Sequence, residues 1–134
     1  MIVTDAGTLV QAVVREPIGG PLRTRLSFEP ALHAPHLVDL EFLSAMRGLV
    51  LATVVTAEQA TLARAHYGRL RVRRYEHLAL ADRVWQLRHD LTTYDAAYAA
   101  LAEALDAALV TTDGRLARAT GLRCQVELVP LTST

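Results

Sequence analysis

Two short apolar runs in this chain each end on an aspartate. Met1-Ile2-Val3-Thr4 leads into Asp5, and Ala108-Leu109-Val110-Thr111 leads through Thr112 into Asp113. Runs this short and apolar read as strands. After Asp5 the residues Leu9, Val10, Val13 and Val14 recur at helical spacing, and Thr112-Asp113-Gly114 opens a short helix over Arg115 to Thr120. Strand, acidic turn and helix, in that order near both ends of a chain, constrain the architecture to alternating β and α elements. The expected fold class is α/β with a mostly parallel central sheet, because right-handed crossovers carry helices onto both faces. Ligands of such sheets gather beyond the carboxyl ends of the strands, the end on which both aspartates stand.

The intervening sequence fits that alternation. Glu16-Pro17-Ile18-Gly19-Gly20-Pro21 carries breakers and predicts a loop, followed by a helix over Leu22 to Phe28 and a second strand over Leu32 to Ala34. Pro35 precedes an apolar helix, Leu37 to Leu51, expected to be mostly buried. Thr56 is an N-cap for a helix over Ala57 to Tyr67. In Arg69-Leu70-Arg71-Val72-Arg73-Arg74 apolar residues alternate with arginine, the pattern of a half-exposed strand at a sheet edge. Helices over Glu76 to Leu87 and over Thr93 to Asp106 follow, the second rich in alanine and expected to be buried; a last strand covers Val126 to Val129.

Composition narrows the functional classes. The 134 residues predict one domain, and 51% hydrophobic against 21% charged residues supports a packed core. Cys124 is the only cysteine, which excludes an internal disulfide framework and suits a reducing cytoplasm. There is no signal-peptide pattern and no long uninterrupted apolar run, so the expectation is a soluble protein with no membrane segment. All 14 basic residues are arginine and the net charge is zero, so binding to nucleic acid requires local clustering of arginine rather than a field over the whole surface. Five histidines show no zinc spacing, and Trp85 is expected in the core.

Four acids form the candidate site: Asp5, Glu41, Asp95 and Asp113. Each has an ordinary alternative. Asp5 and Asp113 suit helix N-caps, Asp95 has the spacing of a capping box with Thr92, and Glu41 suits a glutamate reaching solvent. Their shared explanation is a set of hard oxygen ligands on four elements of one α/β domain, fit for Mg²⁺ or Mn²⁺. Thr111 and Thr112 would then supply hydroxyls that hold the acids by hydrogen bonds. Arg88 and Arg115, close in sequence to these acids, are candidates for contact with an RNA backbone.

Four segments, Ile2-Val3-Thr4-Asp5-Ala6, Ala34-Pro35-His36-Leu37-Val38-Asp39-Leu40-Glu41, Leu91-Thr92-Thr93-Tyr94-Asp95-Ala96-Ala97-Tyr98 and Leu109-Val110-Thr111-Thr112-Asp113-Gly114-Arg115-Leu116, together resemble the PIN-domain family, and within it the VapC-type toxins of type II toxin–antitoxin systems. The resemblance covers almost the whole chain and maps the family's four acids onto Asp5, Glu41, Asp95 and Asp113. Gly7 departs from it, standing where a small hydroxyl residue is common; Gly114 and Arg115 follow Asp113 without a further acid. The resemblance implies a three-layer PIN-like domain over residues 1–134, acting as a Mg²⁺- or Mn²⁺-dependent endoribonuclease whose products carry 5′-phosphates. It further implies an RNA substrate, a homodimer, a VapB-type antitoxin and a cytoplasmic location. Two other readings share the acidic pocket: a PIN-like binding domain without catalysis, and a phosphoacceptor signalling domain, the latter disfavoured by the absence of any lysine.

Overall fold

A computed structural model of the chain describes residues 1–131; the last three residues of the expected domain, 132–134, lie outside the described residues. Five strands, β1 (Ile2–Thr4), β2 (Leu32–Pro35), β3 (Val72–Tyr75), β4 (Ala108–Thr111) and β5 (Val126–Leu128), form one sheet in the order β3-β2-β1-β4-β5. Every neighbouring pair is parallel. The expectation of a mostly parallel sheet is met in full. Between the strands lie α1 (Ala6–Val10), α2 (Pro21–Ser27), α3 (Leu37–Leu51), α4 (Ala57–Arg69), α5 (Ala81–Gln86), α6 (Thr93–Leu105) and α7 (Gly114–Ala117). The chain steps outward from β1 through β2 to β3, then returns past β1 to β4 and β5. Right-handed crossovers therefore place α1 to α4 on one face and α5 to α7 on the other. In agreement, α1 packs on α3, while α6 crosses β2 and β1 on its way to β4.

This strand order separates the fold from doubly wound phosphoacceptor domains, whose order is 2-1-3-4-5. It also puts the reversal of direction between β1 and β4. A crevice opens at the carboxyl ends of strands where the connections part in this way, and Asp5 and Asp113 follow those two strands.

The core is built on β1, β4 and α6. Ile2, Val3, Leu109 and Val110 are buried, and every α6 residue from Ala96 to Ala102 is buried, so the alanine-rich helix sits inside as its composition requires. Alanine permits this because it buries apolar surface without side-chain entropy and lets the helix lie close to the sheet. Thr56 makes a full capping box with Gln59.

Three expectations are corrected. Helix α3 buries one stripe only, Val38, Phe42 and Met46, while Leu40, Leu43 and Leu51 are exposed. Trp85 is 68% exposed rather than in the core, because α5 is short and contributes no buried residue. The arginine-rich strand begins at Val72, not Arg69, since α4 continues through Arg69; its edge position is as expected. The helix after β1 also changes character: over Gln11–Arg15 it widens into a π-helical turn closed by the Glu16 amide on the Gln11 carbonyl at 2.8 Å. Among the described residues no helix is long and apolar enough to cross a membrane.

Candidate functional site

All four acids stand at the carboxyl edge of the sheet, each near the start of a helix. Asp5 caps α1 and Asp113 caps α7; Glu41 lies in the second turn of α3 and Asp95 in the first turn of α6. Anionic side chains are favoured at such helix starts by the exposed amides and the helix dipole.

Asp5 is the fixed point. It is buried, with Oδ1 accepting the Thr8 amide at 2.8 Å and Oδ2 accepting the Thr111 hydroxyl at 2.7 Å. The capping role and a ligand role are therefore compatible, since capping uses one oxygen. Thr111 has no exposure, and its hydroxyl oxygen also accepts the Asp113 amide at 3.0 Å, so one side chain ties the turns after β1 and β4 together. Thr112 acts differently from Thr111: its amide donates to the Thr8 hydroxyl at 3.0 Å, and among the described residues its own hydroxyl reaches only that same oxygen, at 3.5 Å. Thr8 thus braces the turn after β4 from α1. The hydroxyl that Gly7 lacks is found one residue later, although it holds the neighbouring turn rather than the Asp5 carboxylate.

Asp95 does not complete a capping box. Thr92 accepts the Asp95 amide at 3.2 Å, but the reciprocal bond that Gln59 makes in α4 is missing. Its half-buried carboxyl is raised above the ordinary range, first by burial; a Thr92 hydrogen bond lowers it, the charges of Asp113 and Asp5 raise it, and Arg115 opposes them. Glu41 is also raised, first by burial and then by Asp95 and Asp5, against a hydrogen bond from Tyr98. That bond, Tyr98 hydroxyl to Glu41 Oε1 at 2.6 Å, joins α6 to α3. Tyr98 is 1% exposed, and burial together with Glu41 pushes its phenol far above the ordinary range.

Asp113 is the exception. Burial raises it, yet the Arg115 amide and guanidinium outweigh burial and leave it below the ordinary range. Arg115 donates from its amide at 2.9 Å and from Nη2 at 3.1 Å, with most of its side chain in solvent. Arg88 is held elsewhere: its guanidinium lies 4.6 Å from the Trp85 ring centroid and donates to the Trp85 carbonyl.

The four acids thus share one electrostatic neighbourhood. Among the described residues, however, no three His, Cys, Asp or Glu side chains close into a group that holds a metal ion as they stand. The donor set nevertheless fits a hard divalent cation. It is all carboxylate, with two members raised by burial and by like charge, the condition a cation relieves.

Tyr98 and Thr8 are the parts of this site that the sequence reading missed. Tyr98 lies three residues after Asp95, one helical turn onward on the same face, and that spacing was the available signal.

A PIN domain family model matches residues 2–122. Ribonuclease VapC1 of Mycobacterium tuberculosis is 42% identical over 128 residues, covering 95% of this chain and 96% of that protein. Ribonuclease VapC9 of the same organism is 40% identical over 130 residues, covering 97% and 99%. Among solved structures, Mycobacterium tuberculosis VapC20, described as a sarcin–ricin loop cleaving toxin, superposes with a TM-score of 0.65 at 17% identity, covering 91% of this chain and 96% of that one.

Proposed function

The chain belongs to the PIN-domain family, and on that premise we propose that it is a divalent-metal-dependent endoribonuclease of the VapC toxin type. In this reading residues 1–134 form a single PIN-like domain that hydrolyses RNA phosphodiesters at Asp5, Glu41, Asp95 and Asp113.

The observation that carries the reading is the state of Asp95 and Glu41. Two half-buried carboxyls are raised by burial and by neighbouring carboxylates, and neither has a cationic hydrogen-bond partner among the described residues. A fold that keeps such groups at the ends of its strands sacrifices stability there, the usual mark of a working site.

Asp5, Glu41, Asp95 and Asp113 would hold the cation, and Mg²⁺ or Mn²⁺ suits their hard oxygens. The chemistry such an ion supplies when bound is Lewis acidity, which makes water a better nucleophile and offsets charge growing on the phosphate. The remaining work falls to the chain. Thr111 and Thr8 hold the turns that carry Asp5 and Asp113; Tyr98 orients Glu41 and stays protonated across the neutral range. Arg115, solvent-exposed beside Asp113, offers a guanidinium to an arriving backbone phosphate, and Arg88 on its Trp85 shelf offers another. Water, rather than the ribose 2′-hydroxyl, is the attacking group, so products carry a 5′-phosphate and a 3′-hydroxyl.

The relatives are named as VapC ribonucleases, and the same reading gives this chain a VapB-type antitoxin, a homodimeric state and a cytoplasmic site of action. The test is cleavage of total RNA by the purified chain with Mg²⁺, Mn²⁺ or chelator, beside Asp95→Asn. Cleavage that requires both metal and Asp95 is the expected result. A folded, metal-stabilised protein that cuts no RNA refutes the enzymatic reading.

A further inference from the structure

A second polar feature adjoins the carboxylates. A cleft of about 290 Å³ opens between the π-helical turn after α1 and the segments that follow β4 and β5, lined by Gln11, Arg15, Glu16, Thr112 and Pro130. Its wall is shared with the acidic site. Thr112 precedes Asp113, and Thr8, whose hydroxyl accepts the Thr112 amide, also donates its own amide to Asp5. One helix therefore runs from the acids, through Thr8, to Gln11 and Arg15, a path on the order of 15 Å along the axis.

The charges in the cleft are unequally engaged. Glu16 is turned inward: Oε1 accepts the Leu22 amide and Oε2 the Arg23 amide, both at 2.7 Å, so its carboxylate caps α2. Gly20 makes this possible, because a Cβ there would collide with the Glu16 side chain. Arg15 is exposed and has no hydrogen-bond or ion-pair partner among the described residues. A free guanidinium and an amide four residues apart line the same cleft, whose wall also includes Thr112. These are groups that bind a phosphodiester and its ribose through charge and hydrogen bonds without reading a base.

We propose that Gln11 and Arg15 form a backbone-binding subsite for single-stranded RNA, taking a phosphate and ribose to one side of the bond that is cut. The proposal rests on the ribonuclease reading for the identity of its ligand. It adds a positioning role for two residues that lie outside the four segments carrying the family resemblance.

The test uses a short fluorescein-labelled single-stranded RNA of mixed sequence, with binding followed by anisotropy against salt in the Asp95→Asn chain, which removes cleavage from the measurement. Adding Arg15→Gln is expected to weaken binding about tenfold and to reduce the slope of log affinity against log salt by about 0.7, the share of one phosphate on a single strand. Arg15→Lys should restore the slope but not the full affinity, since lysine keeps charge without the planar fork. Arg73→Gln, on the edge strand at the opposite side of the sheet, controls for loss of charge in general and should leave both nearly unchanged. Equal affinity and equal slope with and without Arg15 overturn the proposal. An Arg15-dependent complex in a wild-type chain that cuts no RNA would instead overturn the ribonuclease reading and leave the subsite standing.

Discussion

Replacing Thr111 with valine removes one hydroxyl from a side chain with no solvent exposure and keeps its shape. Two bonds are lost. The first is donated to Asp5 Oδ2 at 2.7 Å, and a hydrogen bond to an ionised group contributes about 1.5–3 kcal/mol. The second is accepted from the Asp113 amide at 3.0 Å, and stranding a partly buried amide costs on the order of 1 kcal/mol. Together they predict a loss of about 3 kcal/mol in chelator at neutral pH, measured by urea unfolding followed by circular dichroism. Thr112→Val is the matched control, because among the described residues that hydroxyl reaches only Thr8 Oγ1 at 3.5 Å, and its expected cost is under about 0.5 kcal/mol. In a Mn²⁺ titration Thr111→Val should also bind about 10- to 100-fold more weakly, as expected when a group orienting a metal ligand is removed. If Thr111→Val unfolds within about 0.5 kcal/mol of wild type and binds Mn²⁺ at the same midpoint, the claim that this side chain holds the site together is wrong.

Asp95 and Glu41 have raised folded-state values, so the stability they contribute is fully present below the unfolded-state value of about 4 and is lost as pH rises through the folded value. Against the opposite slope of His33, whose value burial lowers, these two acids should thus give the metal-free protein a component of stability that is larger at pH 5 than at pH 7. Asp95→Asn should abolish cleavage, flatten that pH slope and raise the neutral melting temperature; a melting temperature below wild type in chelator counts against like-charge repulsion at the site. Tyr98→Phe, which removes the donor to Glu41, should cost about 2 kcal/mol at neutral pH and move the acid limb of the cleavage profile to higher pH; an unmoved limb would show that Glu41 does not need the phenol. Thr4 has no exposure and its hydroxyl has no hydrogen-bond partner among the described residues, so Thr4→Val should stabilise the chain by about 1 kcal/mol without affecting cleavage, and thermal melting decides it.

How much of this was legible in the sequence depended on whether the signal was local. Strands ending on Asp5 and near Asp113, the Thr56 cap and the edge position of the arginine strand all follow from patterns a few residues long, and each is found in the structure. Burial was less legible, because apolar content allows burial without requiring it: Trp85, Leu40 and Leu51 remain in solvent while the equally apolar Phe42 is covered. The π-helical turn leaves no trace in the spacing of Val13 and Val14, since a shift from i+4 to i+5 bonding changes the carbonyl that is used and not the residues that face inward. Tyr98 looked like one more apolar member of α6. Its partner Glu41 lies 57 positions away, and the pairing exists only because α3 and α6 come from opposite faces to the same edge of the sheet.

The two halves of the site are held differently, and this bears on why the four acids stop short of a closed group. Asp5 and Asp113 are fixed on strand ends by the Thr111 hydroxyl and by their own helix amides, a rigid platform that costs nothing to prepare at the moment of binding. Glu41 and Asp95 stand on helices from opposite layers, Glu41 tied across to α6 by the Tyr98 hydroxyl, and both are raised by burial and by neighbouring carboxylates. A cation entering between the halves lowers the cost of ionising the second pair, so closure and binding are one event on the proposed reading. The consequence is testable in a titration. Mn²⁺ binding should release protons at pH 5 and few at pH 8, whereas a site already ionised and closed in the free protein would release none at either.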